Sequence, residues 1–323
     1  MKIQGKSYEE IAASGGGILN SARKLQLATE DQLFESAAAR LDDMIRQGTG
    51  ALEIKSGYGL STTSELKMLR VIKRLKEAFS IPVKASFLAA HAFPAEFKND
   101  HNGYINLIIN QMLPQVAVEG LADYIDVFCE QGFFSVDETS RLLDAAAKYG
   151  LAPKIHANQL SVSGAVQIGV KHGAISVDHL ELTDEAVLSS LSESSTIATL
   201  LPSCSFYLNI PFANARGLID AGVPVAIATD YNPGSTPSGN MNLVISLSCI
   251  KLKMLPEEAI NAATINGAAA MQLSHETGSI AIGKKANLMI TRPMTSLAYL
   301  PYSFGQSQIE TVILNGEVYN GRP

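Results

Sequence analysis

Between residues 50 and 233 the chain repeats one pattern, a short run rich in apolar and β-branched residues followed by a longer amphipathic stretch. That alternation builds a parallel sheet from βα units and leaves few other folds open. The β-rich runs fall at 51–55, 83–90, 124–129, 153–156, 175–179, 197–201 and 224–229, which makes seven. Polar caps mark helices between them: Thr63 ahead of 64–76, Ser135 ahead of 137–149 and Thr183 ahead of 184–192. A closed (β/α)8 barrel needs eight strands. Only 11–46 precedes the first run, and its Gly15-Gly16-Gly17 break and helical stretch 30–46 read as loop and helix. The expected fold is therefore an α/β TIM barrel without its first strand.

Beyond Asp230 the pattern changes. Stretches 241–254, 256–263 and 266–273 read as helices, followed by an apolar run at 286–290. Segments 310–313 and 316–319 flank Leu314-Asn315-Gly316, an Asn-Gly hairpin signal. Residues 1–280 are expected to form the incomplete barrel domain, and 281–323 the C-terminal part of a small β domain.

A net charge of −6 and a pI near 5.6 offer no basic face for a phosphate backbone. A small molecule is the expected partner, with no nucleic acid and no membrane. Cys129, Cys204 and Cys249 form no CxxC pair, which argues against a disulfide framework or a zinc knuckle and suits a reducing cytoplasm. No secretory signal follows Met1, and no apolar run reaches membrane length without charge or turn residues.

Polar residues stand where the runs end: Tyr58, His91, His156, His179 and Asp230. In a βα barrel these ends converge on one mouth. Imidazole nitrogen and carboxylate oxygen are ligands for a hydrolytic divalent metal, so His156, His179 and Asp230 are the candidate donors. Each has a plainer reading. A lone histidine at a strand end is by default a hydrogen-bonded structural residue, and Asp230 could cap a helix or hold the turn at Asn232-Pro233-Gly234. Their joint placement favours chemistry, because an aspartate ending an apolar strand is expensive to desolvate unpaired. His172 falls near a helix end, where it suits the helix dipole, and His101 and His275 fall in polar stretches where solvent exposure is expected.

The segments Glu53-Ile54-Lys55-Ser56-Gly57-Tyr58-Gly59, Ala90-His91-Ala92-Phe93-Pro94, Lys154-Ile155-His156-Ala157-Asn158-Gln159, Val177-Asp178-His179-Leu180-Glu181 and Ala228-Thr229-Asp230-Tyr231-Asn232-Pro233-Gly234-Ser235 resemble, in order and approximate spacing, the imidazolonepropionase family of the amidohydrolase superfamily. The resemblance runs from Tyr8 to Asn320. It implies one divalent metal, zinc or iron, held by a His-x-His pair on the first barrel strand together with His156 and Asp230. It implies catalytic roles for Asp230 and His179, and substrate contacts at Tyr8, Tyr58, His91, Gln159, Asn232, Gly234 and Ser235. The implied reaction opens the cyclic amide of 4-imidazolone-5-propanoate to N-formimidoyl-L-glutamate, and a homodimer is implied as well. Gln159 stands where the family has Glu or Gln, and as an amide it can only hydrogen-bond.

The sequence departs from that pattern in one respect: its six histidines include no His-x-His, and the arginine that normally follows is absent. The expectation is an incomplete N-terminus, open strand edges after 51 and 224, weak metal binding and little or no hydrolysis. Two other readings stay open. One is a different cyclic amidohydrolase of dihydroorotase or hydantoinase type, although those commonly bridge two metals with a lysine where this chain has Phe128-Cys129-Glu130. The other is a metal-free barrel remnant that binds or scaffolds.

Overall fold

Each of the seven β-rich runs becomes a strand in the computed structural model, which describes Gln4 and residues 17–322. The strands are β1 (Leu52–Lys55), β2 (Val83–Ala90), β3 (Tyr124–Cys129), β4 (Ala152–Ala157), β5 (Ser176–His179), β6 (Ile197–Leu200) and β7 (Val225–Ile227). They pair in parallel and in chain order, each beside the next. Among the described residues nothing pairs with the free side of β1 or of β7.

The sheet is curled, and one ion pair is enough to demonstrate it. In a flat sheet four inter-strand steps of about 4.8 Å would set β1 roughly 19 Å from β5. Lys55 Nζ on β1 nevertheless lies 3.1 Å from Asp178 Oδ2 on β5. The architecture is thus an α/β half-barrel of the TIM type, as the strand count suggested.

Alternation along the strands separates two environments. Val127, Ile155, Val177 and Ala198 face the helices and belong to the principal hydrophobic core, together with Leu69, Ile72 and Leu75 of helix Thr62–Ala78. The other set, including Asp126, Lys154, His156 and Asp178, is buried on the concave side. Burying some seventy apolar residues supplies the main driving force, and the concave charges persist because they are paired.

Several boundaries differ from the sequence expectation. Ser61, not Thr63, caps helix Thr62–Ala78: Ser61 has the extended backbone and its hydroxyl accepts from the Ser64 N–H. Asp184, not Thr183, caps Glu185–Ser192, accepting from the Val187 N–H at 2.8 Å, while the Thr183 hydroxyl donates to the Leu180 carbonyl. Ser135 caps as expected, in a capping box with Glu138. Helix Met241–Ile250 stops short of 254, and helix Ile18–Leu27 occupies part of the stretch read as loop.

A second, antiparallel sheet joins β8 (Leu288–Thr291), β9 (Ile309–Leu314) and β10 (Glu317–Val318) in the order β10-β9-β8. The turn between the last two puts Asn315 at φ 51° and Gly316 at φ 87°, the two left-handed positions an Asn-Gly hairpin requires. No helix among the described residues is long and apolar enough to cross a membrane.

Candidate active site

The C-terminal ends of β1 to β7 open on a cavity of about 2400 Å³. It is lined by Tyr58, His91, His156, Gln159, His179, Asp230, Asn232, Gly234 and Ser235, so the site residues expected from the sequence lie on one surface. Tyr8 lies outside the described residues.

His156 is held from behind. Its Nδ1 lies 2.9 Å from Asp126 Oδ1, which turns Nε2 into the nitrogen left for a ligand. The His156 ring is 5.3 Å from that of His179 and 6.1 Å from that of His91. Asp126 also accepts from Lys55 Nζ at 2.5 Å, and Lys55 further pairs with Glu53 at 2.8 Å and Asp178 at 3.1 Å. Lys154 and the Ser86 hydroxyl both donate to Glu53. Burial pushes the Glu53 carboxyl up, but Lys154 and Lys55 outweigh it and hold the group at about 2. Burial likewise raises Asp126, and His156 and Lys55 reverse that to well below the carboxylate range. Three carboxylates against two ammonium groups leave one negative charge in excess behind His156, which favours a cation on its far side.

His179 ends β5 at φ 87°, followed by Leu180 at φ 63°, and Asp230 sits at φ 53°. Such backbone costs about 1–3 kcal/mol per residue and clusters where geometry serves a site. His179 Nδ1 faces Glu181 Oε1 at 3.4 Å. Burial alone would strip its proton; Glu181 and Cys204 outweigh burial and raise the imidazole well above its usual pKa. His91 goes the other way: burial, then the neighbouring His156, lowers it to about 4, so it is neutral near pH 7. Its ring meets Tyr58 edge-on at 5.1 Å, and its Nδ1 is 3.0 Å from the Gly57 carbonyl oxygen. Gly57 has φ 104°, and a Cβ there would lie 2.8 Å from the Leu88 carbonyl, so only glycine fits under His91. Buried Glu65 shapes the same loop by accepting from the N–H groups of Gly57, Gly59 and Leu60.

Asp230 lines the cavity and braces the loop that follows it. Its carboxylate faces the cavity, and its Oδ2 accepts from the Ser235 hydroxyl at 2.7 Å. In the following loop the N–H groups of Gly234 and Ser235 both donate to Asn232 Oδ1 at 2.8 Å. Gln159 reaches Cys204 Sγ at 3.6 Å. Outside the cavity, His172 caps helix Ala165–Lys171 and meets the Ser140 hydroxyl at 2.9 Å. His275 is exposed as expected, whereas His101 is not free in solvent: it stacks on Phe93 at 3.7 Å and pairs with Glu138.

Sequence reasoning named no role for Glu53, Lys55, Asp126, Lys154 or Asp178, nor for Glu181, Glu65 or Cys204. The available signal was charge at every second position of strands too apolar to be solvent-exposed.

The metal donors can be tested on these contacts. His156, backed by a carboxylate, and Asp230, steadied by Ser235, fit a divalent ion in kind. They are two. Among the described residues the clusters of three ligand atoms within 4.8 Å are Asp126–His156–Asp178 and His179–Glu181–Cys204, and Asp230 joins neither. In the first cluster the ammonium of Lys55 already sits against both aspartates.

The profile of the Amidohydrolase family matches residues 15–319. The imidazolonepropionase of Christiangramia forsetii is 57% identical over 317 residues, 98% of this chain and 77% of that protein. That of Shouchella clausii is 42% identical over 98% of this chain and 71% of its own length. The fold resembles a 5-methylcytosine deaminase from Klebsiella pneumoniae (TM-score 0.75, 17% identity, 95% of this chain and 79% of that one). It also resembles a guanine deaminase from C. acetobutylicum (TM-score 0.71, 14% identity, 92% and 77%). A family implying a divalent metal, relatives at 57% and 42% identity, and a half-barrel mouth lined with histidine and aspartate agree: the chain belongs to the amidohydrolase family and, within it, to the imidazolonepropionases.

Proposed function

We propose that the chain carries the machinery that hydrolyses 4-imidazolone-5-propanoate to N-formimidoyl-L-glutamate, a step of histidine degradation. The observation that carries this reading is the meeting of His156, His179 and Asp230 on one cavity, in a chain 57% identical to an imidazolonepropionase.

His156 and Asp230 would hold one divalent ion, zinc or iron, which when bound supplies a Lewis acid and an acidified water. The chain's own groups do the rest. Ser235 fixes Oδ2 of Asp230, and the carboxylate accepts a proton from the attacking water and delivers it to the ring nitrogen as the carbon–nitrogen bond breaks. His179, set against Glu181, stabilises the negative charge that develops on the carbonyl oxygen. Gln159 hydrogen-bonds the ring, Tyr58 and neutral His91 form a wall of the pocket, and Tyr8 is assigned there from the sequence. The propionate is assigned to the Asn232, Gly234 and Ser235 loop. Residues 1–280 act as the hydrolase domain and 281–323 as part of a small β domain. The compartment is a reducing cytoplasm, and the working unit a homodimer.

With two ligands supplied by the described residues, turnover is expected to be slow or absent and metal binding weak. The test incubates the purified chain with substrate and Zn²⁺ or Fe²⁺, follows N-formimidoyl-L-glutamate by mass spectrometry, and measures binding of unreactive imidazole-4-propanoate by calorimetry. Asp230→Asn and His179→Asn should remove any turnover, and Ser235→Ala should weaken analogue binding. Turnover that survives Asp230→Asn, or ring opening of dihydroorotate in preference to the imidazolone, would overturn the assignment. Absence of both analogue binding and turnover would favour a metal-free scaffold instead.

A further inference from the structure

At His179 lies a set of metal donors that the hydrolytic reading does not use as ligands. His179, Glu181 and Cys204 are all buried, and one ligand atom of each lies within 4.8 Å of the other two. They come from two places in the chain: the end of β5 with the residues just beyond it, and the short helix Pro202–Leu208. Glu181 Oε1 accepts from the Ser205 hydroxyl at 3.1 Å, but Oε2 is buried with no hydrogen-bond partner among the described residues. A buried carboxylate oxygen left in that state calls for a cation or donor that completes it. The Cys204 thiol has the His179 ring and the Gln159 amide as its polar neighbours.

Nitrogen, oxygen and sulfur together select the metal. Magnesium and calcium take oxygen shells, whereas imidazole with thiolate suits zinc, cobalt(II) and their heavier thiophilic relatives. With Zn–S near about 2.3 Å and Zn–N near about 2.0 Å, tetrahedral donors stand roughly 3.3–3.7 Å apart. His179 Nδ1 and Glu181 Oε1 are already 3.4 Å apart. His179 also lines the cavity, which gives an ion a way in and a water for its fourth position.

We propose that His179, Glu181 and Cys204 form a site for one thiophilic divalent cation, separate from the His156 and Asp230 pair. The thiol releases its proton to solvent as sulfur takes the metal. Occupancy withdraws His179 from the cavity, so such an ion inhibits hydrolysis. That consequence rests on the hydrolytic reading, whereas the binding does not, and the test therefore reads the metal.

The purified chain is titrated with cobalt(II), and separately with cadmium, while the thiolate-to-metal charge-transfer absorption is recorded. One equivalent should produce the band. Cys204→Ser should abolish it, Cys129→Ser and Cys249→Ser should keep it, and Asp230→Asn should keep it too. Glu181→Gln retains every cysteine and should weaken cobalt(II) affinity by about tenfold or more, which keeps the test decisive if the Cys204 variant misfolds. No band at excess metal, a band that survives Cys204→Ser, or unchanged affinity in Glu181→Gln would each overturn the site.

Discussion

β4 and β1 carry similar side chains into the concave face, Lys154 and His156 on one and Glu53 and Lys55 on the other, but they stand in different surroundings. β4 pairs with a strand on each side, and Lys154 and His156 are only 2% and 8% exposed. Among the described residues β1 pairs on one side only, and all four of its residues are partly exposed. Glu53 of the open strand pairs with Lys154 of the central one, and Lys55 with Asp126 and Asp178 of two others. Side chains crossing the concave face thus tie the open edge to the middle of the sheet, where backbone hydrogen bonds cannot reach.

The severest way to break that comparison is Lys154→Met. Leaving Glu53 short of its buried partner is expected to destabilise the chain by about 3–5 kcal/mol in urea unfolding. A loss under about 1 kcal/mol would mean that the network contributes little. A second, smaller effect is set by pH. Glu53 titrates at about 2 when folded against an ordinary 4.5, so the unfolded chain binds more protons between those values. Its contribution is complete above about pH 4.5 and is lost as pH falls toward 2, amounting to at most about 3 kcal/mol. Unfolding curves at pH 6 and pH 3 should therefore converge more in Glu53→Gln than in the wild type, and identical pH dependence in the two would refute the ion-pair account. The smallest effect sharpens the contrast between strands: amide hydrogens of β1 should exchange at least about tenfold faster than those of β4 in hydrogen-exchange mass spectrometry. Equal protection would show that the side-chain ties make the edge as firm as the centre.

Much of this architecture was legible in the chain. The seven strands could be located because apolar residues had to face the helices, and the mouth because His156 and His179 lie at the C-terminal ends of β4 and β5 and Asp230 just beyond β7. The Asn315-Gly316 hairpin was readable from its two left-handed positions. Helix starts were less so: Ser61-Thr62-Thr63-Ser64 offers four hydroxyls, and the one with extended backbone becomes the cap. The charge network was hidden for a different reason, since Lys55 and Asp178 are 123 residues apart and meet only because the sheet curls. Cys204 was read for disulfides and zinc knuckles, and its place beside His179 and Glu181 depends on where a helix follows β6.

On the assignment of the propionate to the loop after Asp230 proposed above, that loop carries its own substitute ligand. Because Asn232 Oδ1 already receives the N–H groups of Gly234 and Ser235, the loop keeps its shape when empty, and an arriving acceptor exchanges hydrogen bonds with a resident one without adding to them. A carboxylate, with full charge, forms the stronger pair of bonds and displaces the neutral amide oxygen; an ester or amide of the same shape has no such advantage. On that assignment the built-in competitor would make the loop a discriminator of charge, rejecting neutral look-alikes by leaving them nothing to gain.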